Sequence, residues 1–497
     1  MSGQQTISQL LYAGAAIDPG ATAVQDGDDR VTFDELMRRV ESTGAALCRL
    51  VPGRDSRIAI CAANHCDHLV AYLAVLVTGH VWVPLNPANG RAINSIIVDK
   101  ADPDLVLVDS SSRGLVPRVD TVQDLGALRG EPDDFDPAHA AAGDLAAIKF
   151  TGGTTGEPKG VLQTHGNMLA VIDNMQAFYE FTRDDCNLAV APLTHGSSHY
   201  IVPVLAAGGC HRFPIDRSAS SIIAAMRDGA TIAFMPPTLI YKLLREGGLS
   251  AGEFPRLRHL TYSAAPMPPE RIAEAQGAFG PVISALYGQT EAPITICAIG
   301  TDEMRDTSLR RTVGRACGST RTRVVDGDGK EMLPGEIGHV EARGPIVMSG
   351  YLDDPDLTKT TILDGWLRTG DLGSMDESGF LTLSGRASEV IISGGFNIYP
   401  AEIENVLADA HGVRECCVFA VADEYWGERI EAAVVCDDHV TDDEVLAFVR
   451  CEIGSVRTPK ALHRVVALPR NAVGKVVRRD MPDFVESLKE RNDEQPV

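Results

Sequence analysis

The ten residues TGGTTGEPKG, positions 151–160, hold four glycines, three threonines and one lysine. Glycines lose much conformational freedom on folding and have no side chain to bury, so this stretch adds little to a core. The runs DLAAIKF before it and GVLQTH after it are typical of strands, which predicts a loop between two strands. Exposed backbone N–H groups, threonine hydroxyls and the ammonium group of Lys159 would together form a cradle for phosphate groups. On composition alone, a surface hairpin without a ligand is the alternative.

The loop does not have the Walker A pattern, in which Gly-Lys-Ser/Thr leads directly into a helix. Here Pro158 precedes Lys159, and a residue before proline is kept out of the helical region. The loop therefore shares the physics of phosphate binding but not the Walker A architecture.

Segments typical of strands and helices alternate on both sides of the loop. RIAICAA and HVWVPLN flank the apolar run LVAYLAVLVTG, and the same β–α–β order recurs in TIAFMPPTLIYKLLREGG. This alternation is typical of layered α/β subdomains with largely parallel sheets. Past Arg315, short strands and turn signals predict a β-rich subdomain. We therefore predict an α/β fold with a large N-terminal domain, residues 1–386, and a small mobile α+β C-terminal domain, residues 387–497.

Charge and cysteine content narrow the class of protein. The chain has 497 residues with 68 acidic and 45 basic side chains, a net charge of −23, which argues against nucleic-acid or anionic-membrane partners. Eleven scattered cysteines without C-x-x-C spacing predict reduced thiols in a cytoplasmic protein. The run LVAYLAVLVTG is too short for a bilayer and the start lacks signal-peptide features, so we expect no transmembrane segment. The sequence leaves a homodimer open.

TGGTTGEPKG resembles the phosphate loop of the adenylate-forming superfamily, which includes acyl-CoA synthetases, luciferases and the adenylation domains of peptide synthetases. Further motifs of that superfamily follow in the expected order: YGQTE at 287–291, TGD at 369–371, GRASEVIISGGFNIYPAEIE at 385–404 and NAVGK ending at Lys475. The resemblance covers essentially the whole chain and implies the adenylate-forming fold.

The resemblance implies ATP, Mg²⁺ and coenzyme A as ligands and gives each motif a role. Lys475 would bridge the attacking carboxylate and phosphate or ribose oxygens, Thr290 would bind the α-phosphate, and Glu291 would hold Mg²⁺ as a hard oxygen ligand. The β- and γ-phosphates would be bound by Thr151, Gly153, Thr154, Thr155, Gly156 and Lys159, with Thr154 a second candidate metal ligand. Adenine and ribose would lie against Ala264, Ala265, Pro266, Tyr287, Gly288, Gln289, Asp371 and Arg386. Gly394 and Gly395 would let the pantetheine arm pass close to the backbone.

Taken singly, these residues have plainer interpretations. A tyrosine such as Tyr287 is more often part of a core, Asp371 is typical of a turn, and Lys475 beside a glycine is typical of a solvated turn. Their joint order along the chain favours the functional interpretation.

The branch of the superfamily depends on the acid and the acceptor. IISGGFNIYPAEIE resembles the form found in acyl-CoA synthetases, and APLTHGSSHYIVPVLAAGG has no acid to pair with a substrate ammonium, which disfavours amino-acid activation. We predict an ATP-dependent acid–CoA ligase for a medium- or long-chain fatty acid or an apolar ring acid. Its acyl pocket would include His195, Ser198, Ala265 and Gly288. Alternatives are an acyl-AMP ligase or adenylation enzyme that loads a carrier protein, and a non-enzymatic ATP sensor. Ser388 stands where the superfamily usually has a lysine or aspartate at the hinge; because a hinge needs backbone freedom more than charge, we expect the small domain still to rotate, with an effect on the rate or balance of the thioester step.

Overall fold

The computed structural model describes residues 5–117, 122–132, 135–137, 140–152, 157–393, 396–437, 439–471 and 475–493. The strands are β1 Thr22–Asp26, β2 Asp29–Thr32, β3 Arg57–Cys61, β4 Val81–Leu85, β5 Leu105–Val108, β6 Val122–Asp124, β7 Leu145–Gly152, β8 Pro158–Thr164, β9 Cys186–Leu188, β10 Cys210–Phe213, β11 Ile232–Met235, β12 His259–Tyr262, β13 Ile283–Gln289, β14 Ala292–Ile299, β15 Arg315–Ala316, β16 Arg321–Val325, β17 Gly338–Arg343, β18 Gly350–Tyr351, β19 Ile362–Leu363, β20 Trp366–Met375, β21 Leu381–Arg386, β22 Ile391–Ser393, β23 Phe396–Ile398, β24 Val413–Asp423, β25 Gly427–Cys436 and β26 Ala461–Arg464. The helices are α1 Ile7–Ala15, α2 Phe33–Leu50, α3 Cys66–Thr78, α4 Gly90–Ala101, α5 His165–Tyr179, α6 Ser198–Ala206, α7 Ala219–Arg227, α8 Pro237–Leu244, α9 Pro269–Phe279, α10 Pro355–Thr361, α11 Pro400–Asp409, α12 Asp442–Arg457 and α13 Met481–Asp493.

The two strands predicted on either side of TGGTTGEPKG are confirmed, and they extend into this stretch, to Gly152 and from Pro158, while residues 153–156 lie outside the described ranges. Strands β7 and β8 pair antiparallel, with Thr151 opposite Lys159 at the open end. They belong to a seven-stranded sheet of order β18-β8-β7-β4-β3-β5-β6. In this sheet β4, β3 and β5 are parallel, as the β–α–β pattern predicts.

Helix α3 connects β3 to β4 and is buried along its whole length. Its apolar side chains face both its own sheet and neighbouring helices, which explains why the run is hydrophobic all round. The helix ends at Gly79 in the left-handed conformation, φ 74°, which glycine adopts without steric cost. Among the described residues, no helix has both the length and the apolar character that a membrane span requires.

A nine-stranded sheet of order β15-β14-β13-β12-β11-β9-β10-β1-β2 forms the second layer. Strands β11, β12 and β13 are parallel, with Tyr262 opposite Ala285. Their carboxyl ends therefore meet at one edge, where the segments after β12 and β13 lie side by side.

The last two sheets correspond to the predicted β-rich and C-terminal regions. One has the order β16-β17-β20-β19 with β21 beside β20, and the other has β23-β22-β25-β24 with β26 beside β25. The third sheet ends at Arg386 and the fourth begins at Ile391. Arg311 contacts Asp409 on α11 at 2.5 Å, which links the two regions. The domain boundary at 386/387 and the mobility of the smaller part remain predictions.

Candidate active site

The phosphate-loop hairpin and the YGQTE motif are joined by direct hydrogen bonds. YGQTE spans the end of β13 and a two-residue turn before β14, which places Thr290 and Glu291 in the turn. Gln163 on β8 donates from Nε2 to the carbonyl oxygen of Thr290 at 2.8 Å. The backbone N–H of Met348 donates to the carbonyl oxygen of Glu291 at 2.8 Å. The strand that carries Lys159 is thereby fixed beside the turn that carries Glu291.

Tyr351 orients the carboxylate of Glu291, a contact that the sequence motifs do not indicate. Its hydroxyl donates to Glu291 Oε1 at 2.8 Å, and β18, which carries it, pairs with β8. Burial and the negative charge of Glu291 raise the pKa of Tyr351, so the hydroxyl stays a donor. One oriented carboxylate suits Mg²⁺ that arrives with phosphate oxygens. No cluster of three or more His, Cys, Asp or Glu side chains that could hold a metal ion occurs among the described residues.

Tyr287, Asp371 and Arg386 form a second cluster. The Tyr287 hydroxyl donates to Asp371 Oδ2 at 2.5 Å, and Arg386 Nε lies 2.8 Å from Asp371 Oδ1. Burial raises the pKa of Asp371 above its ordinary value, against the opposing effects of Arg386 and Tyr287. The Tyr287 side chain is only 8% exposed, and its ring packs in the core. Its hydroxyl has a separate role, because it donates to Asp371, the predicted ribose-binding carboxylate.

Lys475 lies near this cluster. Its backbone N–H donates to Asn471 Oδ1 at 2.9 Å, and its side chain keeps access to solvent. Surrounding protein and the Arg386 guanidinium lower the pKa of Lys475, while Glu389 and Asp371 oppose the shift. The charges of Arg386 and Asp371 therefore act on a lysine from the C-terminal region.

The predicted adenine wall follows β12 and contains a strained residue. Ala264 has φ 72°, in the left-handed region that alanine rarely adopts, while Ala265 and Pro266 lead towards α9. This conformation costs about 1–2 kcal/mol relative to a right-handed one. Because β12 is parallel to β13, this segment lies beside the end of the strand that carries Tyr287.

Gly288 has a packing role that the sequence does not reveal. A Cβ atom at this position would lie 2.2 Å from the backbone nitrogen of Ile294 on β14. The register of β13 against β14 shifts between Tyr287 and Gln289, which brings the two backbones together here. The close approach of β14 by itself requires glycine at this position, whether or not Gly288 also lines the acyl pocket.

His195 and Ser198, predicted for the acyl pocket, lie next to each other at the start of α6. Ser198 donates from Oγ to the carbonyl oxygen of His195 at 2.8 Å, and His195 Nδ1 lies 2.9 Å from Thr194 Oγ1. Burial and the charge of Lys149 lower the pKa of His195 to about 4, so the ring is neutral near pH 7. Lys149 on β7, which the motifs do not include, is thus a neighbour of the predicted pocket.

Some predicted residues fall outside the described ranges. They are Gly153, Thr154, Thr155, Gly156, Gly394 and Gly395. These contacts bring together separate segments of the chain. The segments carry the described site residues, which are Thr151, Lys159, Thr290, Glu291, Tyr287, Asp371, Arg386 and Lys475. Their individual roles stay predictions.

Comparisons with known proteins identify the family and the fold of the chain. Residues 11–352 match the family of AMP-binding enzymes, and residues 402–475 match the AMP-binding enzyme C-terminal domain. The chain is 29% identical to the medium/long-chain-fatty-acid–CoA ligase FadD8 of Mycobacterium tuberculosis, over 90% of this chain and 85% of that protein. It is 31% identical to feruloyl-CoA synthase of Amycolatopsis sp, over 94% of this chain and 96% of that protein. The crystal structure of ATP-bound MatB from Rhodopseudomonas palustris superposes with a TM-score of 0.86 at 29% identity, covering 96% of this chain and 99% of that one. The predicted superfamily and fold are thereby confirmed, and the chain is an enzyme that belongs to the AMP-binding family.

Proposed function

We propose that this enzyme is an ATP-dependent carboxylic acid–CoA ligase. The carboxylate attacks the α-phosphorus of ATP and pyrophosphate leaves; the thiol of CoA then attacks the acyl carbon and AMP leaves. The observation that carries the proposal is the contact of Arg386 and Tyr287 with Asp371, with Lys475 of the C-terminal region within range of their charges. Both curated relatives described above are named as acyl-CoA-forming enzymes.

The chemistry requires positive charge because two anions must meet. Lys475 would contact the carboxylate and an oxygen of the α-phosphate or ribose, and Thr290 would donate to the α-phosphate. Lys159 would neutralise the departing pyrophosphate. Glu291, oriented by Tyr351, would hold Mg²⁺, which when bound offsets phosphate charge. Asp371 would accept from the ribose hydroxyls.

We propose an acid with a largely hydrocarbon body, a medium- or long-chain fatty acid or an apolar ring acid. The relatives differ in the acids in their names, so the family alone does not select one. The smaller domain, residues 387–497, would rotate at Ser388 so that Gly394 and Gly395 line the pantetheine path. The cytoplasmic location stays a prediction.

A panel of carboxylic acids tested for pyrophosphate and AMP release, with and without CoA, tests the proposal. We expect pyrophosphate release to require an acid, and AMP and thioester to accumulate only when CoA is present. AMP release that is the same with and without CoA would favour the alternative, an acyl-AMP ligase that loads a carrier protein. Nucleotide binding without any turnover would favour an ATP sensor.

Lys475→Ala tests the role of the C-terminal lysine. We expect adenylation to fall about 100-fold or more, because a preorganised cation at the reacting centre is lost. Thioester formation from a preformed adenylate should fall much less. Lys359→Ala is a matched control, since Lys359 is a largely exposed lysine on α10 paired with Asp356. An unchanged adenylation rate in Lys475→Ala would refute the assignment.

A further inference from the structure

Lys149 is a buried lysine next to the predicted acyl pocket. Lys149 is only 6% exposed, and its Nζ lies 3.1 Å from His199 Nε2 and 3.4 Å from Ser198 Oγ. The ammonium group also lies 5.1 Å from the centre of the Trp82 ring. These neighbours are neutral or weakly polar, so they give the lysine hydrogen-bond partners without any opposite charge.

No described carboxylate forms an ion pair with Lys149, although ion pairs are common elsewhere in the same ranges. A buried ammonium without an opposite charge is unfavourable, and burial accordingly lowers the pKa of Lys149 to about 7. Burial and Lys149 together lower the pKa of His199 well below its ordinary value, so the His199 ring is neutral and offers Lys149 a hydrogen-bond acceptor but no opposite charge. The charged form of Lys149 therefore gains most from an anion that arrives with a ligand.

The position of Lys149 connects the predicted phosphate loop to the predicted acyl pocket. It lies on β7, two residues before Thr151, and faces the same side of the sheet as Ala147, which is paired with Trp82 on β4. Ser198, one of its two hydrogen-bond neighbours, is a predicted pocket residue. A substrate that enters beside the phosphate loop and extends towards α6 would bring its far end to Lys149.

The surroundings of this cluster are otherwise apolar. Ser198 and His199 also line a small cavity whose other walls include Ile7, Tyr72, Met168 and Val202, from α1, α3, α5 and α6. Hydrocarbon groups pack favourably against such walls, whereas a polar group there needs a specific partner. The walls beside Ser198 and His199 are therefore largely hydrocarbon, and Lys149 is the cation that these two polar residues contact.

We propose that Lys149 binds a second carboxylate at the far end of the acyl substrate. The preferred acid is then a dicarboxylic acid whose two carboxylates are separated by a hydrocarbon body. This inference rests on the ligase function proposed above and adds one polar group to the apolar acid proposed there. The first carboxylate reacts with ATP, and the second neutralises the buried ammonium.

Linear monocarboxylic and α,ω-dicarboxylic acids of matched chain length provide the test. Pyrophosphate release from the full-length enzyme is measured for each acid with saturating ATP and Mg²⁺. We expect kcat/KM for the best dicarboxylic acid to exceed that of its matched monocarboxylic acid by about 100-fold, because a site built to bind a charged group rejects the analogue that lacks it.

Lys149→Met keeps much of the side-chain length and removes the charge. We expect it to lower kcat/KM for the dicarboxylic acid about 100-fold and to leave that for the monocarboxylic acid unchanged or higher. Lys359→Met controls for loss of an exposed lysine. A variant that lowers both acids equally, or a wild-type enzyme that prefers monocarboxylic acids at every length, would overturn the inference.

The design separates this inference from the proposed function. If no acid of either series supports pyrophosphate release, the ligase function itself fails. If monocarboxylic acids react and dicarboxylic acids have no advantage, only the role of Lys149 fails. Should Lys149→Met not fold, the comparison of the two acid series on the wild-type enzyme still decides.

Discussion

Replacing Tyr287 by phenylalanine would separate the two functions of this side chain. Its hydroxyl donates to Asp371 Oδ2 at 2.5 Å, and both residues are only 8% exposed. A buried hydrogen bond to a charged acceptor contributes about 1.5–3 kcal/mol. Tyr287→Phe keeps the ring in the core and removes this bond, while Arg386 still contacts the other oxygen of Asp371. If the hydroxyl fixes Asp371 for the ribose, kcat/KM for ATP should fall by roughly 10-fold to 100-fold.

A double-mutant cycle with Asp371→Asn tests whether the loss acts through that carboxylate. The two substitutions should be strongly non-additive, with a coupling energy of about 1.5–3 kcal/mol from kcat/KM values. Tyr12→Phe is a matched control, because the Tyr12 hydroxyl bonds Glu41 Oε1 at 3.0 Å outside the candidate site. Additive effects, or a Tyr287→Phe enzyme as active as wild type, would refute the reasoning.

Three further substitutions test structural features of the same enzyme. Gly288→Ala should destabilise the fold by about 3 kcal/mol or more, measured by denaturant unfolding, because its Cβ would lie 2.2 Å from Ile294 N. Ala264→Gly should raise stability by at most about 1 kcal/mol, because φ 72° is strained for alanine; unchanged or lower stability would argue against strain there. Burial lowers the pKa of His68 to about 4, so the unfolded chain binds a proton between pH 6.5 and 4 that the folded chain excludes, and stability decreases as the pH is lowered through that window. His68→Gln should reduce that slope by up to about 1.4 kcal/mol per pH unit in acid-unfolding curves, and an unchanged slope would contradict the assignment.

Local features of this fold were predictable from the sequence. The runs on either side of the glycine- and threonine-rich stretch 151–160 predict two strands, and β7 and β8 confirm them, although both strands extend further into that stretch than the sequence indicates. Thr32 is a typical N-cap, and its side chain accepts from the backbone N–H of Glu35 at the start of α2. In both places a few neighbouring residues determine the conformation, so no tertiary contact has to be known.

The contacts that build the site, in contrast, join residues that are far apart in the sequence. Tyr287 and Asp371 are 84 residues apart in the chain, and Tyr351 and Glu291 are 60 apart. Each pair depends on how separate strands are ordered within or between sheets, which neither periodicity nor composition encodes. The motif resemblance predicted that these segments meet, but it did not indicate that a tyrosine hydroxyl would orient each of the two carboxylates.

Lys149 shows why a strand pattern alone is an incomplete guide to a site. In DLAAIKF the lysine stands within an apolar run, and strand alternation places it on the same face as Ala147, opposite Trp82. The sequence could therefore have indicated an inward-facing lysine, but whether an acid from a distant segment neutralises it depends on the tertiary fold. In a chain with a net charge of −23 and 68 acidic side chains, the absence of an acid beside this lysine among the described residues is informative. The electrostatic environment of Lys149 therefore favours a negative charge supplied by the substrate.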